Sequence, residues 1–459
     1  MLMNAVFQRF AQSAPIALMV GGMLERVLTP EQLDALFART AERQYTRELL
    51  FSTVFDLLSQ VVCGLQPSMH AAYQAQVAEI GVSLTAVYNK LNGVEPAIAA
   101  AVVHYSAQVL GPLVHELEAA GPAWLPGYDL RIVDGTCLEA TEHRVAEWRL
   151  LSSGALPGKS LVVYDPGWQM ARAVVCCEDG HAQERSLFDQ VLPLVEAPQV
   201  WMADRNFCTR DFLLGIAARG GYFLIREHAN LAWYPRHQPR KVGRVETGEV
   251  WEQAIEVIDA QGGWHRARRI QLLLDEPTRD GELEINLVTN LPPEISALEL
   301  ARLYRRRWRI EQAFQELALH LNAEITTLGY PKAALFGFCL ALVAYNILAV
   351  VKAALRAVHG TEKIDQEVSG YYLANEIANT YRGMRIALPP EQWEVFRHAS
   401  VPQLATWLVQ MARSVNLAVY RKHPRKPKKA PATRRKNKAP PHVSTARLLA
   451  QRKTTKRTP

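Results

Sequence analysis

Cysteine is scarce and unpatterned: Cys63, Cys137, Cys176, Cys177, Cys208 and Cys339 are the six in the chain, none in a CxxC spacing. That excludes a disulfide scaffold and a zinc site of the usual spacings, and reads as the reduced thiols of a cytosolic protein. Cys176-Cys177 falls in a strand-like run, where neighbours point to opposite faces, so no bond between them is expected. The basic start and long apolar core of a secretory leader are missing. The most apolar stretch, Leu335 to Val351, holds Tyr345 and Asn346 and is followed by Lys352. It is marginal for a ~30 Å hydrocarbon core, which takes about 20 residues, and reads as a buried core helix rather than a membrane span. No internal repeat is found. Acid is absent where base is densest. Residues 421–459 carry 15 Lys and Arg and no Asp or Glu, whereas the first 420 carry 37 against 45, a net of −8. The +7 of the whole chain therefore belongs to its tail.

What is present is ordinary for a globular protein: 49% hydrophobic and 21% charged residues, in a length sufficient for about three domains. Residues 1–122 read as helical. Thr29 is a cap, Pro30 the first helical residue and Glu31 an acid in the first turn. A second amphipathic helix spans Thr46 to Leu65, closed by Gly64 and Pro67. Ser83 caps a short helix with an apolar Leu84, Val87 and Leu91 face and an outer row of Thr85, Tyr88, Asn89 and Lys90. Two readings fit it: the second helix of a helix-turn-helix, with Tyr88 and Lys90 meeting DNA, or a small helix of a bundle.

From Tyr128 the period changes to strands. Leu130–Val133 ends at Asp134, Ser160–Tyr164 and Gln169–Cys177 form a hairpin about Asp165-Pro166-Gly167, and Gln199–Ala203 ends at Asp204. Helices are expected over Glu184–Leu194 and Cys208–Arg219, and a strand over Tyr222–Arg226. A meander followed by strands alternating with helices predicts an α/β layer with a mixed sheet. Val242–Ile258 and Trp264–Leu274 alternate apolar and polar residues, which predicts a small all-β insertion over 228–292. Helices are expected again over Leu335–Val358, Lys363–Arg382 and Pro390–Asn416. The six prolines and fifteen cations of 421–459 predict a disordered tail that tethers phosphates in a salt-sensitive way.

Two carboxylates close apolar strands, in Ile132-Val133-Asp134-Gly135-Thr136 and in Met202-Ala203-Asp204-Arg205. A third follows in Tyr304-Arg-Arg-Arg307-Trp308-Arg-Ile-Glu311, where Tyr304, Arg307 and Glu311 share one helix face. Arg and Glu four residues apart are usually a solvated surface pair. Two upstream Asp residues weigh against that here, because three carboxylates can ligate two divalent ions above such a face.

Asp-Gly-Thr, Ala-Asp-Arg-Asn-Phe and Tyr-x2-Arg-x3-Glu, in this order, resemble a DDE transposase of the IS4 group, over roughly residues 125 to 350. Leu156 to Asp165 and Tyr222 to Arg226 supply supporting context. The resemblance implies a ribonuclease-H-like mixed-sheet catalytic core with an all-β insertion, preceded by a helical DNA-binding domain (1–122). The core would be split into 123–227 and 293–360 around the insertion (228–292), with a helical region (361–420) and the basic tail (421–459) behind. It implies Asp134, Asp204 and Glu311 as catalytic residues and ligands of two Mg²⁺ (or Mn²⁺) ions. Tyr304 and Arg307 would lie near the cleaved phosphate, and Trp308 would be either a core residue or a platform for an unpaired base. The partners implied are terminal inverted repeats and target DNA, with a homodimer on paired ends in a prokaryotic cytoplasm, nucleoid-associated when DNA is bound, and no membrane. The family signature ends in a Lys seven residues after the Glu, where this chain has Ala318. That departure keeps two alternatives open: a catalytically impaired DNA-binding regulator of transposition, or a metal-dependent nuclease.

Overall fold

The computed structural model describes residues 5–44, 46, 48–118, 123–139, 145, 151, 153–278, 280–380, 383, 388, 390–423 and 442–455. Seven helices come first. They are α1 (Ala5–Ser13), α2 (Pro15–Val27), α3 (Pro30–Thr40), α4 (Phe51–Val62), α5 (Met69–Ala75), α6 (Leu84–Gly93) and α7 (Pro96–Glu116). Local chemistry sets their ends. Thr29 accepts a hydrogen bond from the Gln32 amide ahead of Pro30, and Ser83 accepts one from Ala86. The helix expected from Thr46 begins only at Phe51, and Gly64, at φ +74°, turns the chain away after it.

The sheet then begins with β1 (Asp129–Leu138), the short β2 (Ala155–Leu156), β3 (Gly158–Asp165), β4 (Met170–Cys177), β5 (Gln199–Ala203) and β6 (Tyr222–Arg226). β7 (Tyr234–Pro235), β8 (Arg240–Val245), β9 (Gly248–Ile258), β10 (Trp264–Leu274) and β11 (Glu284–Thr289) follow. The strand order is β4-β3-β1-β5-β6-β11-β10-β9-β7, with β8 also on β9. β1, β5 and β6 run parallel and their outer neighbours antiparallel, giving a mixed α/β sheet. The expected hairpin is present, its turn held by Asp165 Oδ1, which accepts from the amides of Gly167 and Trp168.

Alternation assigns the two faces. Ile132, Val162, Val174, Val200 and Met202 pack against the helices, whereas Val133, Leu161, Val175, Trp201 and Ala203 pack against Phe188, Phe207 and Phe212. β5 is buried at all five positions, and its sequence is apolar except for Gln199, whose amide is hydrogen-bonded to Glu196 and Trp201.

Several expectations are corrected. β1 does not stop at Val133 but runs on to Leu138. The β-rich residues 228–292 add to the same sheet, because β11 pairs with β6 on one side and β10 on the other. Glu184–Leu194 is broken into a 3-10 turn, the four-residue α8 (Phe188–Val191) and a second 3-10 turn around Pro193. α9 (Arg210–Ala217) is intact.

Beyond the sheet lie α10 (Ala297–Arg305), α11 (Arg309–His320), α12 (Pro331–His359), α13 (Thr361–Glu367) and α14 (Gly370–Asn379), then helices Pro390–His398 and Val401–Arg413. The tail is ordered in part. Val443–Ser444 pairs in parallel with β2, a helix spans Thr445–Thr455, and Arg447 meets Asp179 at 2.8 Å. The remainder of the expected disordered tail falls largely outside the described residues.

α7 and α12 are the two helices, among the described residues, long and apolar enough to cross a membrane. The apolar window of α12 is wholly buried inside the protein, as a core helix should be. Its Asn346 fixes three elements at once. The amide accepts from Ala171 N and donates to Ala171 O and to Ser106 Oγ of α7, each at 2.9 Å. The N-terminal helices, α12 and one sheet face thus share one continuous core.

Candidate active site

Asp134 stands where the sheet forks. Through Ile132, β1 pairs with β5; beyond it only the pairing with β3 continues. β5 ends at Ala203 on the other side of the fork, and Asp204 caps the 3-10 turn Arg205–Phe207 by accepting from the Asn206 amide at 2.8 Å. Asp134 is therefore inside a strand, but at the end of its pairing with β5, which brings it beside Asp204.

The third carboxylate arrives on a kinked helix. α10 and α11 are joined by the 3-10 turn Arg306–Trp308, so Tyr304 and Glu311 lie on two helical segments rather than one. Arg307, in the turn, joins the site together. One guanidinium nitrogen donates to Asp134 Oδ2 at 3.1 Å, and the other to Glu311 Oε1 at 2.9 Å. Its Nε is buried without a hydrogen-bond partner. The Arg307–Glu311 pair is thus a mostly buried bridge and not a solvated surface pair, with the Arg307 side chain only 10% exposed.

The electrostatics are those of a crowded acidic site. Burial pushes the Asp134 carboxyl up to about 6; Arg307 pulls it back, and Asp204 and Glu311 push it further. Among the described residues no three carboxylate, His or Cys side chains are gathered closely enough to hold an ion as they stand. Arg307 occupies the position between two of them and offsets only part of the charge there. The donor set is nevertheless one of hard oxygens whose negative charge is under-compensated, which is the chemistry a divalent ion answers.

Other candidates are placed differently from expectation. Tyr304 is buried and its hydroxyl donates to the Ala203 carbonyl at 3.2 Å, so it braces the end of β5 instead of facing a phosphate. Burial also raises its phenol to about 12. Trp308 is 58% exposed, so it is not a core residue. Tyr88 and Lys90 lie on α6. Lys90 Nζ sits 4.2 Å from the centre of the Phe37 ring, and residues 76–83 between α5 and α6 are too long for a tight helix-turn-helix turn. Ala318 falls within α11, its side chain outside the described residues.

Sequence reasoning missed Glu184. Its carboxylate covers Gly135 so closely that a Cβ there would collide with it. Burial raises its pKa, Lys159 lowers it, Asp204 raises it, and a hydrogen bond to Asn206 lowers it. The one signal available was the glycine immediately after Asp134.

With this geometry in place, residues 125–347 match the family model described as a transposase DDE domain. The match begins just before β1 and ends inside α12, so the matched residues include Asp134, Asp204 and Glu311. The putative transposase InsL of insertion sequence element IS186A from Escherichia coli K12 is 27% identical over 244 residues, 45% of this chain and 62% of the relative. The transposase of insertion sequence element IS421 from Escherichia coli is similar to the same extent. The chain thus spans 62% of the length of these curated relatives.

Proposed function

We propose that this chain is a DNA transposase that binds the terminal inverted repeats of its insertion sequence, and cleaves and joins DNA with Asp134, Asp204 and Glu311. The observation that carries the reading is the Asp134–Arg307–Glu311 bridge beside Asp204, inside the DDE domain. Support for a ribonuclease-H-like core comes from the order β4-β3-β1-β5-β6, with its first three strands antiparallel and its last three parallel.

Two Mg²⁺ (or Mn²⁺) ions held by the three carboxylates would supply activation of the attacking oxygen and charge neutralisation at the leaving one. The chain's own residues do the rest. Arg307 must release at least one carboxylate for that, and its freed fork suits two phosphate oxygens of the DNA end. Tyr304 holds the Ala203 carbonyl and so sets where Asp204 leaves the sheet. Glu184 keeps the Asp204–Asn206 turn against the Gly135 backbone. Trp308, exposed beside Arg307, offers a face on which an unpaired base stacks, worth ~1–3 kcal/mol.

The test that separates a transposase from a nuclease is joining. Pre-cleaved inverted-repeat ends are incubated with target plasmid and Mg²⁺, and joined products are sequenced. Short target-site duplications at the junctions support the reading, whereas cleavage without joining leaves a nuclease. Specific end binding with neither reaction would leave a regulator.

A further inference from the structure

Arg306, in the same turn as Arg307, and Arg309, just after it, open into a different space. A cavity of about 730 Å³ lies at the starting ends of β1 and β5, opposite the ends that carry Asp134 and Asp204. Arg172, Arg306 and Arg309 line it, with Trp124 and Trp168. The volume lies in the range of small-ligand pockets.

The way these cations are held is informative. The Arg172 guanidinium lies 4.2 Å from the centre of the Trp168 ring, and that of Arg306 lies 5.3 Å from Trp124. Stacking on an indole fixes a guanidinium plane without using its N–H groups. Among the described residues none of the three arginine side chains has a salt bridge or hydrogen bond. Two other arginines of the cavity are already neutralised, Arg131 by Asp165 at 2.9 Å and Arg356 by Asp365 at 2.8 Å. Asp129 and Glu196, also at the wall, are the acids left to face the three free cations. Burial lowers the pKa of Arg172 and the nearby Arg131 lowers it further, while Asp165, Glu196 and Asp129 raise it, so a crowding of like charges there is offset in part by acids. An anion with several acceptor oxygens relieves that crowding and uses planar forks already in position.

We propose that this cavity binds the phosphate of a nucleotide, either free or within a DNA strand. It is separate from the carboxylate site and does not depend on the catalytic reading. The test is calorimetric titration of the full chain in EDTA with ADP, with adenosine and with a single-stranded oligonucleotide. Arg172→Met/Arg309→Met removes two of the cations. Thr361→Asp places an acid on the cavity wall at the first residue of α13, where a helix tolerates acid well, so this variant keeps the fold.

The wild type is expected to bind ADP and not adenosine, with affinity reduced at least about tenfold in both variants. Equal losses for ADP and oligonucleotide identify a site open to free nucleotides. No ADP binding, but a matching loss of oligonucleotide affinity in both variants, identifies a seat for a DNA strand. Adenosine binding as tightly as ADP, no binding of either phosphate ligand to the wild type, or variants that bind both ligands like the wild type would overturn the proposal.

Discussion

Asp134 carries the largest electrostatic burden of any residue at the site. Its folded-state pKa is about 6 against an ordinary 3.8, so between those values the folded protein binds the extra proton. Stability of the metal-free protein should therefore fall as pH rises from about 4 to 6, by on the order of 1–3 kcal/mol. Thermal unfolding across that range checks the sign, and Asp134→Asn should flatten the slope. Binding of Mg²⁺, which needs the ionised group, competes with that proton and should strengthen as pH rises. Tyr304 gives a second expectation. Tyr304→Phe removes the hydrogen bond to Ala203 and should destabilise by about 1 kcal/mol with cleavage reduced less than tenfold. Denaturant melts and initial cleavage rates check it; a loss of a hundredfold or more would restore the phosphate contact the sequence implied. Asp134 and Asp204 were legible because each closes an apolar run, and Glu311 because it shares a helical face with Tyr304 and Arg307. The exposure of Trp308 was not, since an aromatic residue at helical spacing fits core and surface equally.

Among the elements, the fork between β1 and β5 makes the site. An apolar run shows where a strand is buried on both faces, and so Val133 looked like the end of β1. The strand continues through Asp134 because β3 still pairs with it, and pairing partners leave no mark in the local sequence. For the same reason the β-rich residues 228–292 read as an insertion, although β11 completes the sheet beside β6. The kink at Arg306–Trp308 was hidden too, because helical spacing is nearly the same through a single 3-10 turn. Gly135 is the point where these elements meet Glu184. Gly135→Ala should force Glu184 away, destabilise by about 1–3 kcal/mol and lower cleavage. Restoration by Gly135→Ala/Glu184→Gly, measured by melting and by cleavage, would show that the collision is the cause.

At the scale of the whole molecule, the helices before the sheet and those after it close on one core with it. Asn346 ties α12, α7 and β4 together, and Asn346→Ala should destabilise by about 2–4 kcal/mol through the unsatisfied partners it leaves at Ser106 and Ala171. Chemical denaturation monitored by circular dichroism checks this, with a single transition expected for helices and sheet together. That long-range closure was the least legible feature of all. Amphipathic faces reveal that a helix is buried, not what it is buried against.

The central claim is that Asp134, Asp204 and Glu311 act together on DNA. The most direct test is cleavage of a plasmid carrying the element's flanking inverted repeats, with Mg²⁺ or with EDTA, by the wild type and by Glu311→Ala. The account predicts cuts at the repeat tips that need Mg²⁺ and that fall by a factor of about 10³ or more in the variant. Cuts that persist in EDTA, or equal cutting by both proteins, would contradict it.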